Sequence, residues 1–148
     1  MNRRPQPKEF PFRVPFEVRD YECDMEGIVN NAVYQNYLEH ARHVYLRSRG
    51  VDFGELTRSG IHLVVIRVEL DYLAPLRGGD SFWVGVQAYR RTTMRGIFHQ
   101  AIFRLPEETP VLRAVVHGTS LNTAGRPTYC DALTLIFPED EANEPNHP

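Results

Sequence analysis

The sequence predicts an α+β fold in which an antiparallel sheet of about five strands wraps around one long helix. Between residues 31 and 49, apolar side chains recur at steps of three and four and alternate with charged ones, which is the pattern of an amphipathic helix. Four segments rich in β-branched and aromatic residues follow, without a second helical pattern of that length. One helix followed by consecutive strands favours α+β over an alternating α/β fold.

The predicted helix has a signal at each end. The side chain of Asn30 can cap the first turn by accepting a hydrogen bond from a backbone N–H group. Gly50 can adopt the left-handed conformation that commonly follows the last turn. We therefore expect the helix to run from residue 31 to residue 49.

The predicted strands are short and closely spaced. They span residues 12–19, 61–73, 81–91, 96–105 and 111–122. The last four are separated by the turn-like segments APLRGGD, TTMR and PEETP. Because most of these connections are short, we expect the strands to pair with their chain neighbours as an antiparallel meander.

A chain of 148 residues is the size of a single domain, which we place at residues 11–137. Residues 1–10 and 138–148 are polar and rich in proline, and we predict that they form flexible tails. A single sheet around one helix leaves an open edge and an apolar flank. This predicts a homodimer or a homotetramer.

The composition argues against several classes of partner. The formal net charge is −2 and no basic stripe with interleaved aromatics is present, so neither nucleic acid nor a membrane surface is expected as a partner. No apolar run approaches the roughly 18 residues of a membrane span, and the start of the chain does not resemble a signal peptide. The two cysteines, Cys23 and Cys130, lack a metal-ligand spacing. We expect a cytoplasmic protein.

The densest polar cluster, residues 21–37, lies where the first strand ends and the helix begins. The N–H of Asn31, in the first helical turn, could polarise a thioester carbonyl and stabilise the negative charge that develops on its oxygen. Asp24 could reach the same carbonyl as a base or nucleophile, and Gly27 lets the backbone turn back between them. The alternative is a solvated turn in which Asp24 and Glu26 serve only the backbone and Asn30 is merely a helix cap.

The segment DYECDMEGIVNNAVYQNYLEHARHVYL resembles the signature of 4-hydroxybenzoyl-CoA thioesterase-like hotdog proteins: acid-x-Asp-x-x-Gly-x-Val-x-Asn-x-x-Tyr, then Glu-x-Ala-Arg. The resemblance continues through LDYLAPLRGGD and FHQAIF and covers about residues 16–127. Within the family the chain is especially similar to the plant acyl-lipid thioesterases, which act on fatty-acyl and β-ketoacyl carrier-protein thioesters. It departs from the family pattern at Glu22, where the first acid is usually Asp, and at the pair Met25 and Glu26.

The resemblance implies a hotdog fold and assigns roles to individual residues. Asp24 is implied as the catalytic carboxylate and the backbone N–H of Asn31 as the group that polarises the carbonyl. Gly27 is implied to shape the loop. Tyr34 and Glu39 occupy matching helix positions, where they could contact substrate.

Packing roles remain open for two of these helix residues. Tyr34, like Tyr37, could simply serve the core, because aromatic side chains at helical spacing usually do. Glu39 could orient water in the site of a neighbouring subunit, or could pair with Arg42 or Arg47.

Three arginines at the predicted turn between two strands are candidates for binding phosphate. Arg90, Arg91 and Arg95 could contact the phosphates of coenzyme A or of a carrier protein's phosphopantetheine. The alternative is an ordinary basic turn, and Arg95 could instead point into the pocket.

The predicted function is hydrolysis of acyl-CoA or acyl-carrier-protein (acyl-ACP) thioesters to a free acid and a thiol. The segment EHARH lacks the His-Glu-x-x-His arrangement of zinc hydrolases, and no Gly-x-Ser-x-Gly elbow is present. Neither a metal nor a cofactor is expected. The alternatives are a hotdog dehydratase or hydratase, and an acyl-binding module without catalytic activity.

Overall fold

One helix, α1 (Asn31–Ser48), lies across one face of a five-stranded antiparallel sheet. The computed structural model describes residues 4–138, so the parts of the predicted tails at residues 1–3 and 139–148 lie outside the described residues. The strands are β1 (Phe12–Glu17), β2 (His62–Tyr72), β3 (Ser81–Arg90), β4 (Arg95–Arg104) and β5 (Thr109–Leu121). Two short helices, α2 (Phe53–Arg58) and α3 (Ala132–Ile136), complete the α+β architecture that the sequence predicts.

Both end signals of α1 act as predicted. The side chain of Asn30 accepts a hydrogen bond of 3.0 Å from the N–H of Ala32. Gly50 has φ of 82° just after the helix, the left-handed conformation that glycine adopts without strain. The last helical residue is Ser48, one residue before the predicted end, and Arg49 forms the C-cap.

The strand order is β1-β3-β4-β5-β2, so the predicted meander is correct for β3, β4 and β5 and wrong for β2. β2 pairs with β5 at one edge of the sheet, and β1 pairs with β3 at the other edge. The connection at residues 73–80 therefore crosses the ends of two strands. Eight residues can span up to roughly 26 Å. Adjacent strands are about 4.8 Å apart, so the segment that the sequence predicts as a turn is long enough to pass β5 and β4.

The inner face of the sheet packs against α1. Tyr34, Tyr37, Leu38, Ala41 and Tyr45 are buried on the helix, where they meet alternate side chains of β3, β4 and β5 in one core. Burial of these apolar side chains is the main favourable contribution to the fold.

The outer face of the sheet is partly covered by the start of the chain. Residues 7–10 fall in a predicted tail, yet Pro7–Glu9 forms a 3-10 turn and Phe10 is only 3% exposed. Phe10 packs with Trp83 and Phe103 and lies directly over Gly85, where an added Cβ would come within 2.5 Å of its ring. The structure thus places Phe10 with the domain.

Helix α3 closes the other end of the inner face. The hydroxyl of Tyr45 donates a hydrogen bond of 3.2 Å to the carbonyl of Ile136, and the Nε of Arg49 donates to the carbonyl of Leu135. Phe137 packs directly against Gly96 of β4. None of the helices within residues 4–138 is long and apolar enough to cross a membrane.

Gly96→Ala should destabilise the protein, because the new Cβ would lie 2.1 to 2.3 Å from ring atoms of Phe137. We expect a loss of about 1–3 kcal/mol in the free energy of unfolding, as is typical of overpacking. The matched control is Gly118→Ala on the paired strand, where the nearest atom to the added Cβ is 3.5 Å away. Urea unfolding of both variants measures the difference, and equal stabilities would contradict this packing.

Candidate functional site

Asp24 begins a tight turn at the tip of a short antiparallel ladder. Its N–H donates to the carbonyl of Ile28 at 2.9 Å, and the N–H of Gly27 donates to the Asp24 carbonyl at 3.0 Å. Gly27 has φ of 79°, a conformation in which a side chain would be strained. The ladder continues through the bridge between Cys23 and Val29. The backbone therefore fixes Asp24 through local hydrogen bonds.

The carboxylate of Asp24 is exposed and only partly engaged. Its Oδ1 accepts a hydrogen bond of 2.8 Å from the N–H of Glu26, which closes the turn. Within residues 4–138, Oδ2 accepts no hydrogen bond and Asp24 forms no ion pair. One oxygen thus serves the turn and the other is available to a substrate or a water molecule.

The N–H of Asn31 is an unpaired donor at the positive end of α1. The neighbouring donors are occupied: the N–H of Ala32 donates to the side chain of Asn30 and the N–H of Val33 to its carbonyl. No acceptor within the described part of the chain takes the Asn31 N–H. Because Asn31 is exposed, an oxygen atom of a ligand can approach this donor and the helix dipole favours the approach.

Tyr34 packs in the core beneath the start of α1. Its side chain is 3% exposed, and its hydroxyl accepts a hydrogen bond of 3.0 Å from the N–H of Leu76. The carbonyl of Leu76 in turn accepts from the N–H of Val29 at 2.8 Å. Burial raises the pKa of Tyr34, so its hydroxyl stays neutral. The structure places Tyr34 in the core, where it ties the crossing loop to the helix start.

Tyr37 fixes the other end of the ladder. Its hydroxyl donates to Oε1 of Glu22 at 2.9 Å, and the same oxygen accepts from the N–H of Arg19 at 2.8 Å. Burial, together with the bond to Glu22, raises the pKa of Tyr37 far above its usual range. The carbonyl of Glu22 accepts from the N–H of Asn30 at 3.0 Å. Glu22, the departure from the family pattern, thus joins the core to the helix cap.

Glu39 is not brought to Asp24 within one chain. It lies eight residues after Asn31 on α1, roughly 12 Å along the helix axis. Its carboxylate is 3.9 Å from Nε2 of His43, whose pKa is lowered mainly by burial. Glu39 instead lines a separate cavity of about 270 Å³ beside the C-terminal half of α1.

The three candidate arginines are divided between the two faces of the sheet. Arg90 turns towards the C-terminal end of the domain. Its guanidinium donates to the hydroxyl of Thr134 at 3.4 Å and lies 5.9 Å from the ring centroid of Tyr129. It is therefore separated from the two other arginines.

Arg91 and Arg95 remain together at the turn between β3 and β4. The N–H of Arg91 donates to the carbonyl of Arg95 at 2.8 Å, and both side chains are exposed. Arg95 and Ile97 are two residues apart on β4, so their side chains point to the same face of the sheet. Ile97 lies outside the core that α1 covers, so the side chain of Arg95 does not point towards α1.

His117 lies close to the same turn. Its pKa is lowered by burial, an effect that Glu69 opposes and that the positive charges of Arg67, Arg91 and Arg95 reinforce. The sequence analysis missed Arg67, which adds a cation to this exposed basic cluster. The strand pairing that brings it there is not visible in local sequence.

Arg42 and Gln100 are a second feature that the sequence analysis missed. Nη1 of Arg42 donates to Oε1 of Gln100 at 3.0 Å beside the cavity. Within residues 4–138 no group of three His, Cys, Asp or Glu side chains is placed to hold a metal ion.

Comparison with known proteins gives a consistent result. Residues 18–142 match the model of the thioesterase-like superfamily. The Arabidopsis thaliana protein named acyl-acyl carrier protein thioesterase ATL3, chloroplastic, is 41% identical over 114 residues, which are 77% of this chain and 60% of ATL3. The Escherichia coli long-chain acyl-CoA thioesterase FadM is 31% identical over 100 residues, which are 68% of this chain and 75% of FadM.

The structural comparison concerns the fold. The crystal structure of Slr0204, a 1,4-dihydroxy-2-naphthoyl-CoA thioesterase from Synechocystis, matches with a TM-score of 0.79 at 18% identity, covering 84% of this chain and 94% of Slr0204. Together with the family match, this confirms the hotdog fold. The chain spans about 60% of the length of ATL3.

Proposed function

Because the chain belongs to the thioesterase-like superfamily, we propose that it hydrolyses acyl thioesters of coenzyme A or acyl carrier protein to a free acid and a thiol. The observation that carries this proposal is the unpaired N–H of Asn31 at the start of α1, next to a ladder that presents the free oxygen of Asp24. A hydrogen-bond donor for the carbonyl oxygen and a carboxylate in one motif suit acyl transfer without a metal.

In the proposed mechanism the thioester carbonyl oxygen accepts a hydrogen bond from the Asn31 N–H, and the dipole of α1 stabilises the charge that develops on this oxygen. Asp24 removes a proton from water, whose oxygen bonds to the carbonyl carbon. Collapse of the tetrahedral intermediate breaks the C–S bond, and Asp24 returns the proton to the departing thiolate. In the nucleophilic variant a carboxylate oxygen of Asp24 bonds to the carbonyl carbon, the C–S bond breaks and the thiolate leaves, which gives a mixed anhydride. Water then hydrolyses the anhydride to the free acid and the Asp24 carboxylate, and the proton released from water goes to the thiolate.

The competing function is acyl binding without catalysis. The hydrogen bond from the Glu26 N–H to Oδ1 of Asp24 favours it, because a turn can require this carboxylate for purely structural reasons. The two functions differ in whether Oδ2 of Asp24 takes part in chemistry.

We also propose that the protein assembles as a homodimer or homotetramer. In the sheet formed by residues 4–138, β2 is an edge strand and exposes Val65, Ile66 and Tyr72. The other edge strand, β1, contains Pro15, which cannot donate a backbone hydrogen bond. Light scattering at micromolar concentration measures the assembly, and a stable folded monomer would contradict the proposal.

We further propose that the protein is cytoplasmic, which fractionation of the native cells can check.

Asp24→Asn should lower kcat by at least roughly 100-fold, because the amide is not a base. The amide oxygen can still accept from the Glu26 N–H, so the turn and the thermal midpoint should survive. Asn31→Ala should cost little turnover, since the proposed donor is its main-chain N–H and the cap is supplied by Asn30. kcat and thermal midpoint are measured together for both variants on the best substrate from a panel of acyl-CoA and acyl-ACP thioesters.

Full turnover by a folded Asp24→Asn protein would refute the mechanism and leave Asp24 as a turn residue. Asp24→Ala is the matched control for the turn, because it removes the acceptor for the Glu26 N–H as well as the base. It should lower both kcat and the thermal midpoint, whereas Asp24→Asn should lower kcat alone.

Arg91→Ala and Arg95→Ala should each raise KM for acyl-CoA by roughly two- to fivefold at low salt, as expected for exposed contacts to phosphate. kcat should change little. Arg90→Ala is the control within the chain, because Arg90 already contacts Thr134 and Tyr129 on the other side of the sheet. Steady-state kinetics at two salt concentrations measure these KM values. An unchanged KM in both Arg91→Ala and Arg95→Ala would reject the phosphate role.

A further inference from the structure

The cavity beside the C-terminal half of α1 has a volume of about 270 Å³ and is lined mostly by apolar side chains. Helix α1 forms one wall, β2 and β5 form another, and α3 closes the end. Its apolar lining includes Leu46, Phe53, Phe98 and Leu133. Ligand pockets typically measure about 300–1,000 Å³, so this cavity suits a small acyl group or one end of a longer chain.

A half-buried cation, Arg42, lines this cavity together with the side chains of Glu39 and His43. The guanidinium of Arg42 donates one hydrogen bond, from Nη1 to Oε1 of Gln100. Gln100 is 1% exposed and its Nε2 donates to the carbonyl of Leu38 at 3.0 Å, so the orientation of its amide is fixed by the helix backbone. Within residues 4–138 no carboxylate oxygen lies within 4 Å of the Arg42 guanidinium.

Most N–H groups of the Arg42 guanidinium thus have no acceptor among residues 4–138. Burial lowers the pKa of Arg42, and Glu39 opposes that effect. The guanidinium remains protonated nevertheless, because arginine does not lose its proton in proteins. Partial burial of a cation is costly when its one acceptor within residues 4–138 is neutral. An oxygen acceptor brought in by a ligand would offset that cost, and a carboxylate would do so most strongly by binding in bidentate fashion.

Building on the proposed function, we infer that this cavity receives the distal part of the acyl group and that Arg42 selects acyl groups with an oxygen acceptor there, a carboxylate above all. Arg42 lies eleven residues after Asn31, roughly 16 Å along α1. It is thus far from the carbonyl-binding end of its own helix. The thioester carbonyl can be bound at the start of the same α1 or at the start of α1 in a second copy of the protein. In either case only the acyl group has to enter the cavity.

Matched thioester pairs test the selection. The pairs are hexanoyl-CoA with adipoyl-CoA, decanoyl-CoA with decanedioyl-CoA, and tetradecanoyl-CoA with tetradecanedioyl-CoA. The wild type should prefer the dicarboxylic member of at least one pair, by about 10- to 100-fold in kcat/KM. Arg42→Met should abolish this preference. Arg42→Lys, which keeps the charge but cannot bind a carboxylate through two parallel N–H groups, should retain part of it. No preference in any pair, or a ratio unchanged in Arg42→Met, would overturn the inference.

Ligand binding separates this inference from the proposed function. Hexanoate should raise the thermal midpoint of the wild type more than hexanol does, and Arg42→Met should lose the difference. That result supports the cavity assignment even if no thioester is hydrolysed, in which case only the proposed function fails. Equal effects of the two probes on the wild type would overturn the assignment.

Gly118→Val provides a second variant in case Arg42→Met does not fold. Gly118 lines the cavity from β5, and the atom closest to an added Cβ is the carbonyl oxygen of Val64 at 3.5 Å. A valine there should narrow the cavity and abolish the stabilisation by hexanoate while leaving Arg42 in place. Undiminished stabilisation would show that hexanoate binds elsewhere and would overturn the assignment.

Discussion

A single helix has to cover a sheet that is wider than itself, and this constraint shapes the rest of the molecule. A helix with its side chains is about 10–12 Å across, whereas the outer strands of a five-stranded sheet lie about 19 Å apart. α1 therefore packs mainly against β3 and β1 and leaves the side of β5 and β2 less covered. The short helix α3 closes part of this gap, and the remainder is the cavity that Arg42 faces.

The two ends of α1 carry different chemistry. Its first turn presents the Asn31 N–H and the positive end of the dipole, while Arg42 brings a full charge three turns later. Both attract oxygen, but the first is a backbone N–H, which every residue except proline provides. The second depends on one side chain, so specificity can change there without disturbing the reacting centre.

Local signals were enough to predict the helix and the strands, but not how distant parts meet. Asn30 and Gly50 mark the ends of α1 because each acts on the backbone next to it. The pairing of β2 with β5 depends on where the chain goes after residue 73, which no short pattern encodes. The motif around Asp24 is contiguous in sequence and could be predicted. The hydrogen bond from the N–H of Leu76 to Tyr34 and the separation of Arg90 from Arg95 depend on strand order and on the face of the sheet to which each residue points.

The contact between Phe10 and Gly85 has a consequence for how this sequence can vary. Any side chain at position 85 would occupy the space of the Phe10 ring, so the two positions form one unit although they lie on different segments. Among related sequences, loss of glycine at position 85 should therefore coincide with a smaller residue at position 10 or a rerouted N-terminal segment. Such paired changes would trace, across evolution, which relatives dock the start of their chain on the outer face.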